Sequence, residues 1–228
     1  MTGEVEQTER LLSAGGVEAR YVEPLAHYTQ LVLAANSKFN LTGARTAEQF
    51  VPHILDSLTI VPYVRSPYID VGSGAGLPGI PITLVTGSVT VLLEVTAKKA
   101  AFLIETIGAL RLTAARAIAA RAENAGRDPE LRERFDSATV RAVASAAAAL
   151  ELVAPFLAVG GLAILQRGAP EPIETALLEA AATALGCTLE SEMPLDRGRR
   201  LLLVRKTGPT PDRFPRRPGM VAKRPLGG

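Results

Sequence analysis

The stretch Asp70-Val-Gly-Ser-Gly-Ala-Gly-Leu-Pro-Gly79 constrains this chain more than any other. Five of its ten residues are glycine or proline, and its first two, Asp70 and Val71, end the apolar, β-favouring run Tyr68–Val71. A strand that enters such a loop and leaves into a helix is the first βα turn of an α/β sheet. Glycine in that turn permits unusual backbone angles and brings a ligand close to bare backbone. A tight turn that holds nothing is a poor account of so much glycine.

The rest of the chain agrees with that reading. The spacing of apolar residues from Glu18 to Lys38 has a 3.6-residue period, which predicts a helix. Asn40-Leu41-Thr42-Gly43 closes it with turn chemistry. A second helix runs from Thr46 or Ala47 to Tyr63, with Thr46 as cap and Gln49 completing a capping box. From Tyr68 onward strands and helices alternate. Strands are expected at Tyr68–Val71, Val89–Glu94, Thr113–Ala120, Phe135–Val140 and Leu162–Gln166. The helices between them are Leu77–Thr86, Ala97–Leu110, an alanine-rich one ending at Gly160-Gly161, and Pro170–Leu185. Cys187–Leu195 and Arg200–Lys206 form a closing hairpin. The expected fold is α/β: a mostly parallel seven-stranded sheet with helices on both faces, a terminal antiparallel hairpin and an N-terminal helical extension. Three segments follow: 1–65, the helical extension; 66–207, the ligand-binding domain; and 208–228, a basic tail. That tail has five prolines and no periodicity, so it reads as an extended arm or as disordered.

Composition narrows the function classes. A chain of 228 residues with 47% hydrophobic and 21% charged residues builds an ordinary globular core. One cysteine, Cys187, excludes an internal disulfide framework, and two histidines, His27 and His53, build no metal cluster; a reducing cytoplasm fits. The N-terminus is acidic and lacks the apolar run of a signal peptide. The longest apolar region, Ala142–Leu165, is broken by Glu151, Pro155 and Gly160-Gly161 and is not a membrane span. The alanine excess reads as a compositional bias. The net charge of +2 is small, yet ten basic residues and one acid fall between Arg197 and Arg224. Such a field suits a polyanion, with a solubilising tail as the plainer explanation.

Two ligands compete for the glycine loop. Gly74-Ala75-Gly76-Leu77-Pro78-Gly79 matches a dinucleotide fingerprint, in which a pyrophosphate sits on the helix N-terminus. S-adenosylmethionine carries an ammonium and a sulfonium and no phosphate, so a carboxylate at the strand end suits it. Asp70 is that carboxylate and would be badly placed beside a pyrophosphate. Glu94, ending the second strand, can accept from ribose hydroxyls and serves either ligand. S-adenosylmethionine is the favoured reading, and Asp70 is what favours it. Ala122 and Glu123, after the third strand, fall where an adenine edge would be read; an exposed helix cap is the plainer role for Glu123. Arg141 ends the fourth strand and either orders the pocket, meets a phosphate or pairs with a carboxylate such as Glu123. His53 and Ser57 share a helix face with Asp56 beside them, a pattern more often structural than catalytic.

These motifs, in order, resemble the small-subunit ribosomal RNA guanine-N7 methyltransferase family, also called glucose-inhibited division protein B. Asn40-Leu41-Thr42, His53-x-x-Asp56-Ser57-Leu58, the glycine loop through Pro81, Leu92-Leu93-Glu94 with Lys98-Lys99, Arg121-Ala122-Glu123, Arg141 to Ser145 and Pro218-Gly219 to Leu226 carry the resemblance over nearly the whole chain. It implies S-adenosylmethionine-dependent methylation of N7 of one guanine in the 530 loop of 16S rRNA. It implies cofactor contacts at Gly72, Leu77, Ala122, Glu123 and Arg141. To these the residue argument adds Asp70 and Glu94, with Gly74 from the loop fingerprint. Members often have Lys-Gly after the fifth strand, where this chain has Gln166-Arg167-Gly168.

The chemistry fits an absence. Amino-group methylation of bases uses an Asn/Asp-Pro-Pro-Tyr/Phe loop, and ring-carbon methylation uses a cysteine; strand four here ends in Thr139-Val140-Arg141-Ala142. Guanine N7 has a free lone pair and loses no proton, so no catalytic base and no metal is expected. The enzyme aligns the reactants and excludes water. Arg197, Arg199, Arg216, Arg217, Lys223 and Arg224 are the candidate RNA contacts, on 16S rRNA or the small ribosomal subunit. A cytoplasmic monomer without membrane or obligate protein partner is expected. Truncation after Lys206 is expected to weaken RNA binding and spare the cofactor. Other readings stay open at this point: a methyltransferase for a small molecule or protein, an NAD-dependent oxidoreductase, and a non-catalytic assembly module that keeps the cofactor as a structural ligand.

Overall fold

In a computed structural model, which describes residues 2–141, 145–168, 174–195 and 198–227, seven strands form one sheet. They are β1 (Tyr68–Val71), β2 (Thr90–Glu94), β3 (Ala115–Ala119), β4 (Phe135–Val140), β5 (Leu157–Arg167), β6 (Cys187–Leu195) and β7 (Arg199–Lys206). Their order is β3-β2-β1-β4-β5-β7-β6. The pairs β2–β3, β1–β4 and β4–β5 are parallel, while β5–β7 and β6–β7 are antiparallel. The expected mostly parallel sheet with a reversed closing hairpin is therefore present. The chain winds outward from β1 in one direction and then resumes at β4 in the other. The carboxyl ends of β1 and β4 thus flank a topological switch point, the place where open α/β sheets hold ligands. Chain contacts divide the protein into two compact units, Met1–Pro62 with Ser73–Ala119 and Tyr63–Gly72 with Ala120–Gly228.

The first unit contains α1 (Thr2–Ala14), α2 (Ala19–Asn36), α3 (Ala47–Leu58), α4 (Gly79–Thr86) and α5 (Ala97–Ala109) with β2 and β3. Leu12, Leu25, Tyr28, Val32, Phe50, Ile54, Ile80, Leu92 and Leu103 form its core. Tyr28 and Phe50 meet edge-on with centroids 5.6 Å apart, a favourable aromatic geometry. Asn36 shapes the exit from α2: its Oδ1 accepts from the Leu41 and Thr42 N–H groups at 2.9 and 3.0 Å, and its Nδ2 donates to the Ala44 carbonyl at 2.7 Å. The expected capping box at Thr46 does not form. The Thr46 side chain makes no cap hydrogen bond, and Gln49 Oε1 accepts from the Arg45 N–H at 2.7 Å. The glutamine thus bonds the residue before the cap instead of the cap itself. α3 is shorter than expected, ending at Leu58 before a single 3-10 turn.

The second unit contains β1 and β4 to β7 with α6 (Ala122–Ala125), α7 (Ala146–Val153), α8 (Glu174–Ala184) and α9 (Met220–Lys223). Ala146 to Ala149 are all at most 1% exposed, so part of the alanine excess supplies a helix thin enough to be buried on every side. The helix was expected to run to Gly160-Gly161. It stops at Val153, because Pro155 lacks the N–H that would continue it. β5 then begins at Leu157, and the glycine pair lies within that strand. Gly160 has φ +90°, and a Cβ on Gly161 would stand 2.9 Å from the Phe135 carbonyl oxygen, where the β4–β5 register shifts.

The C-terminal segment corrects a second expectation. Proline spacing made residues 208–228 an extended or disordered arm, but through residue 227 this segment is fixed to its unit. Phe214 and Val221 are 4% and 2% exposed. Arg127 donates to the carbonyls of Asp212, Arg213 and Pro215, and Arg132 to those of Thr210 and Phe214. Side chains from elsewhere in the unit satisfy the backbone groups that proline-rich chain cannot pair by itself.

Cys187 lies buried on β6, and burial pushes its thiol up to about 11 against the opposing charge of Lys206. The thiolate is the reactive form, so at about pH 8 a chromogenic disulfide is expected to label the folded chain about 100-fold more slowly than the chain in guanidinium chloride. Equal rates would show that the site opens freely. The thiol's contribution to stability is fully present below its unfolded value of 9.0 and is lost as pH rises through about 11.

Candidate functional site

In the first unit the glycine loop is held peptide by peptide. The Ser73 N–H donates to the Leu93 carbonyl at 3.1 Å, which ties the loop to the end of β2. The Gly74 N–H donates to Glu94 Oε2 at 2.9 Å. The other carboxylate oxygen, Oε1, accepts from the Thr96 N–H at 2.7 Å. Glu94 is 5% exposed. Each of its oxygens has one backbone donor and keeps a second lone pair. Gly76 has φ +100°, and a Cβ there would lie 2.6 Å from Ile80 Cγ1 and 3.1 Å from the Tyr28 hydroxyl. Leu77 follows, half-buried, immediately before α4. Gly74, Leu77 and Glu94 are thus brought together around one loop.

In the second unit Asp70 is fully buried, and its Oδ1 accepts from the Thr139 hydroxyl at 2.9 Å across the β1–β4 pair. The Thr139 hydroxyl also meets the Tyr68 hydroxyl. Burial and then the negative charge of Asp70 hold the Tyr68 phenol well above its usual range, with Thr139 and the Arg141 cation opposing. Asp70 is thus a carboxylate at the strand end, as expected, and its side chain is buried. Gly72, two residues on, has φ +74°, and nothing lies within 4 Å of the place a Cβ would take. Its backbone therefore faces open space in a conformation that L side chains avoid. Arg141 follows Val140, which pairs in register with Val71, so Arg141 and Gly72 leave adjacent parallel strands at the same level. Ala122 and Glu123 form the first turn of α6, and Glu123 Oε1 accepts from the Gly219 N–H of the C-terminal segment at 3.2 Å. Glu123 is thus more than an exposed cap.

The basic residues sort into two groups. Arg216 is committed inward: its Nε and Nη2 donate to the fully buried Glu151 carboxylate and its Nη2 also reaches the Arg224 carbonyl. A guanidinium so employed is a fastener, which corrects its expected place among the RNA contacts. Arg217, Lys223 and Arg224 are exposed, as is Arg213, which lies 5.0 Å over the Phe214 ring. Arg199 heads β7, and Arg197 lies outside the described residues. Arg167 donates to Glu174 Oε1 at 3.1 Å, so the residue after Gln166 is ion-paired. In the first unit His53 is exposed, and the Ser57 hydroxyl donates to the His53 backbone carbonyl at 2.7 Å. That bond belongs to the helix and leaves the imidazole ring out. No helix among the described residues is long and apolar enough to cross a membrane.

A sheet in this order, with its last-formed strand inserted antiparallel, a glycine loop after β1 and an acid ending β2, defines the Rossmann-like methyltransferase class. Solved structures of that class share the fold. TYW2 from M. jannaschii in complex with AdoMet aligns with a TM-score of 0.50 at 16% identity, over 74% of this chain and 77% of that one. The geranyl diphosphate C-methyltransferase of Streptomyces coelicolor aligns with a TM-score of 0.54 at 12% identity, over 71% and 82%. Sequence relatives are nearer. The ribosomal RNA small subunit methyltransferase G of Pelotomaculum thermopropionicum is 40% identical over 221 residues, 92% of each chain. That of Gloeobacter violaceus is 40% identical over 86% of this chain and 83% of its own. The family model described as rRNA small subunit methyltransferase G matches residues 21–202. The chain belongs to the rRNA small subunit methyltransferase G family.

Proposed function

We propose that this chain transfers the methyl group of S-adenosylmethionine to N7 of one guanine in the 530 loop of 16S rRNA. The observation that carries the reading is the match of residues 21–202 to the rRNA small subunit methyltransferase G family; the pairing of Glu94 with the loop agrees with it, since a buried carboxylate takes the Gly74 N–H and keeps lone pairs for two ribose hydroxyls. The open backbone at Gly72, with φ +74° and nothing within 4 Å of a Cβ position, also leaves room for the cofactor. Gly74, Leu77 and Glu94 would hold the ribose and its loop. The remaining contacts, at Gly72, Ala122, Glu123 and Arg141, are those that the family resemblance implies. Asp70 would act from the end of β1 as a buried negative charge that favours the ammonium and sulfonium.

The cofactor supplies a methyl carbon activated by a positively charged sulfur. Guanine N7 has its own in-plane lone pair, and no proton leaves during the transfer. No side chain needs to act as a base; the chain's task is to align N7, carbon and sulfur and to keep water out. The Hoogsteen edge of a loop guanine is accessible without opening a duplex. Arg199, Arg217, Lys223 and Arg224, joined by Arg213, would hold rRNA phosphates, each adding a slope of about −0.7 in log K against log salt. A monomer acting on rRNA or the small subunit in the cytoplasm, without a further protein, completes the reading.

The test is methyl transfer from labelled S-adenosylmethionine to small ribosomal subunits from cells lacking the enzyme, mapped by cleavage at 7-methylguanine. Label at a single guanine of the 530 loop is expected. Binding of the cofactor without label in RNA would favour another acceptor or a role in assembly.

A further inference from the structure

We propose that Tyr28 is a positioning residue for the cofactor loop, so that α2 belongs to the cofactor site instead of merely leading up to it. Tyr28 is fully buried, and its hydroxyl donates to the Ala75 carbonyl at 2.8 Å. Ala75 is the middle residue of Gly74-Ala75-Gly76 and is itself 7% exposed, so little water reaches that carbonyl. The bond fixes the peptide plane that runs from Ala75 into Gly76. The N–H on the other side of that plane donates to the Ser73 carbonyl at 2.7 Å. With the Gly74 N–H on Glu94, the peptides on either side of the Gly74–Ala75 link each have one assigned direction. Glycine at 76 is required by its φ of +100° and by Ile80 Cγ1, 2.6 Å from where a Cβ would stand, and it also leaves the Tyr28 hydroxyl, 3.1 Å from that place, free to meet the loop.

A second contact on the same helix supports this role. The Tyr21 hydroxyl donates to the Val85 carbonyl at 2.9 Å, near the carboxyl end of α4. Tyr21 and Tyr28 are seven residues apart, about two helical turns, and so lie on one face of α2. The helix braces the loop at one end and the helix that follows it at the other. The ring of Tyr28 packs edge-on against Phe50 of α3, which holds the hydroxyl in place independently of the loop. Removal of the hydroxyl alone leaves that packing intact and strands the Ala75 carbonyl without a donor. The loop then explores other peptide orientations, and the ordered one must be recovered on binding.

This inference rests on the reading that the loop binds S-adenosylmethionine, so the parent chain is measured first. Tyr28→Phe in the full chain is expected to raise the Kd for S-adenosylmethionine by calorimetry, and its KM with small ribosomal subunits, by about 5- to 20-fold. The kcat at saturating cofactor should stay within about twofold, because the bound loop is the same. Thr29→Val is the control: it removes a buried hydroxyl that donates to the Leu25 carbonyl at 2.9 Å within the same helix and does not face the loop. It is expected to lower Tm to a similar degree and leave the Kd unchanged. A Tyr28→Phe chain whose Kd matches the parent, or moves no further than that of Thr29→Val, overturns the inference. A parent that binds no S-adenosylmethionine overturns the cofactor reading and this inference with it. Should Tyr28→Phe not fold, Tyr21→Phe tests the other end of the brace, with a rise in Kd expected and an unchanged Kd counting against it.

Discussion

Arg216→Ala is expected to release the C-terminal segment and to lower stability by about 3–5 kcal/mol, the cost of leaving a buried charge without its partner. Glu151 is fully buried, and Arg216 approaches it with Nε at 2.9 and 3.1 Å, Nη2 at 2.6 Å and its own backbone N–H at 3.0 Å. The variant keeps only the backbone donor. The bond from Arg216 Nη2 to the Arg224 carbonyl, 2.7 Å, is lost with it. Calorimetry should show a lower Tm, and limited proteolysis should cut within 208–227, where the parent resists. RNA affinity should fall because the exposed cations are no longer held in one arrangement. Arg216→Lys should recover only part of the loss, since an ammonium cannot reproduce a forked pair of bonds. Replacing the pair together, Glu151→Leu with Arg216→Met, should recover stability, as removal of both charges removes the penalty. A parent-like Tm for Arg216→Ala would show that the segment is held by its apolar contacts alone. The same bonds change the expectation for truncation after Lys206. Deletion would strip Glu151 of its partner, so stability as well as RNA binding should suffer.

The second large effect is expected at Glu94. Glu94→Ala should weaken S-adenosylmethionine binding at least about 100-fold, because two bonds to a charged acceptor, each worth about 1.5–3 kcal/mol, vanish together with the ribose contact. The Gly74 and Thr96 N–H groups would both lose their acceptor. Glu94→Gln is informative because it preserves shape. An amide presents one oxygen and one NH2, so one of the two backbone N–H groups must face a donor. Its binding should be intermediate, at about 10- to 50-fold weaker than the parent. Calorimetry on both variants, with circular dichroism to confirm the fold, is the measurement. If Glu94→Gln binds as well as the parent, the carboxylate is not what organises the loop.

The main outline was legible in the sequence because it depends on local chemistry. Apolar strands, glycine and proline punctuation and helical periodicity are properties of short windows, and β1, β2, β4, β6 and β7 lie within about two residues of where those signals put them. The family motifs were legible for the same reason. What failed depended on partners far away in the chain. The glycine pair at 160–161 looks like a helix end in a local window, and only pairing with β4 makes it part of a strand. The capping box at Thr46 had the right residue spacing, yet Thr46 makes no cap bond and Gln49 accepts from the Arg45 N–H instead.

The sequence by itself determined that this chain is an α/β protein with a ligand loop after its first strand, an acid after its second and a cluster of positive charge near its end. Those follow from residue type and spacing. Only the tertiary structure decided how these groups are used. It buried Asp70 behind Thr139 and gave both oxygens of Glu94 to backbone donors. It also turned Arg216 from an apparent RNA contact into the partner of Glu151, 65 residues away in the chain. Local pattern cannot foresee this, because a charge is assigned to a partner by which side chains folding removes from water together.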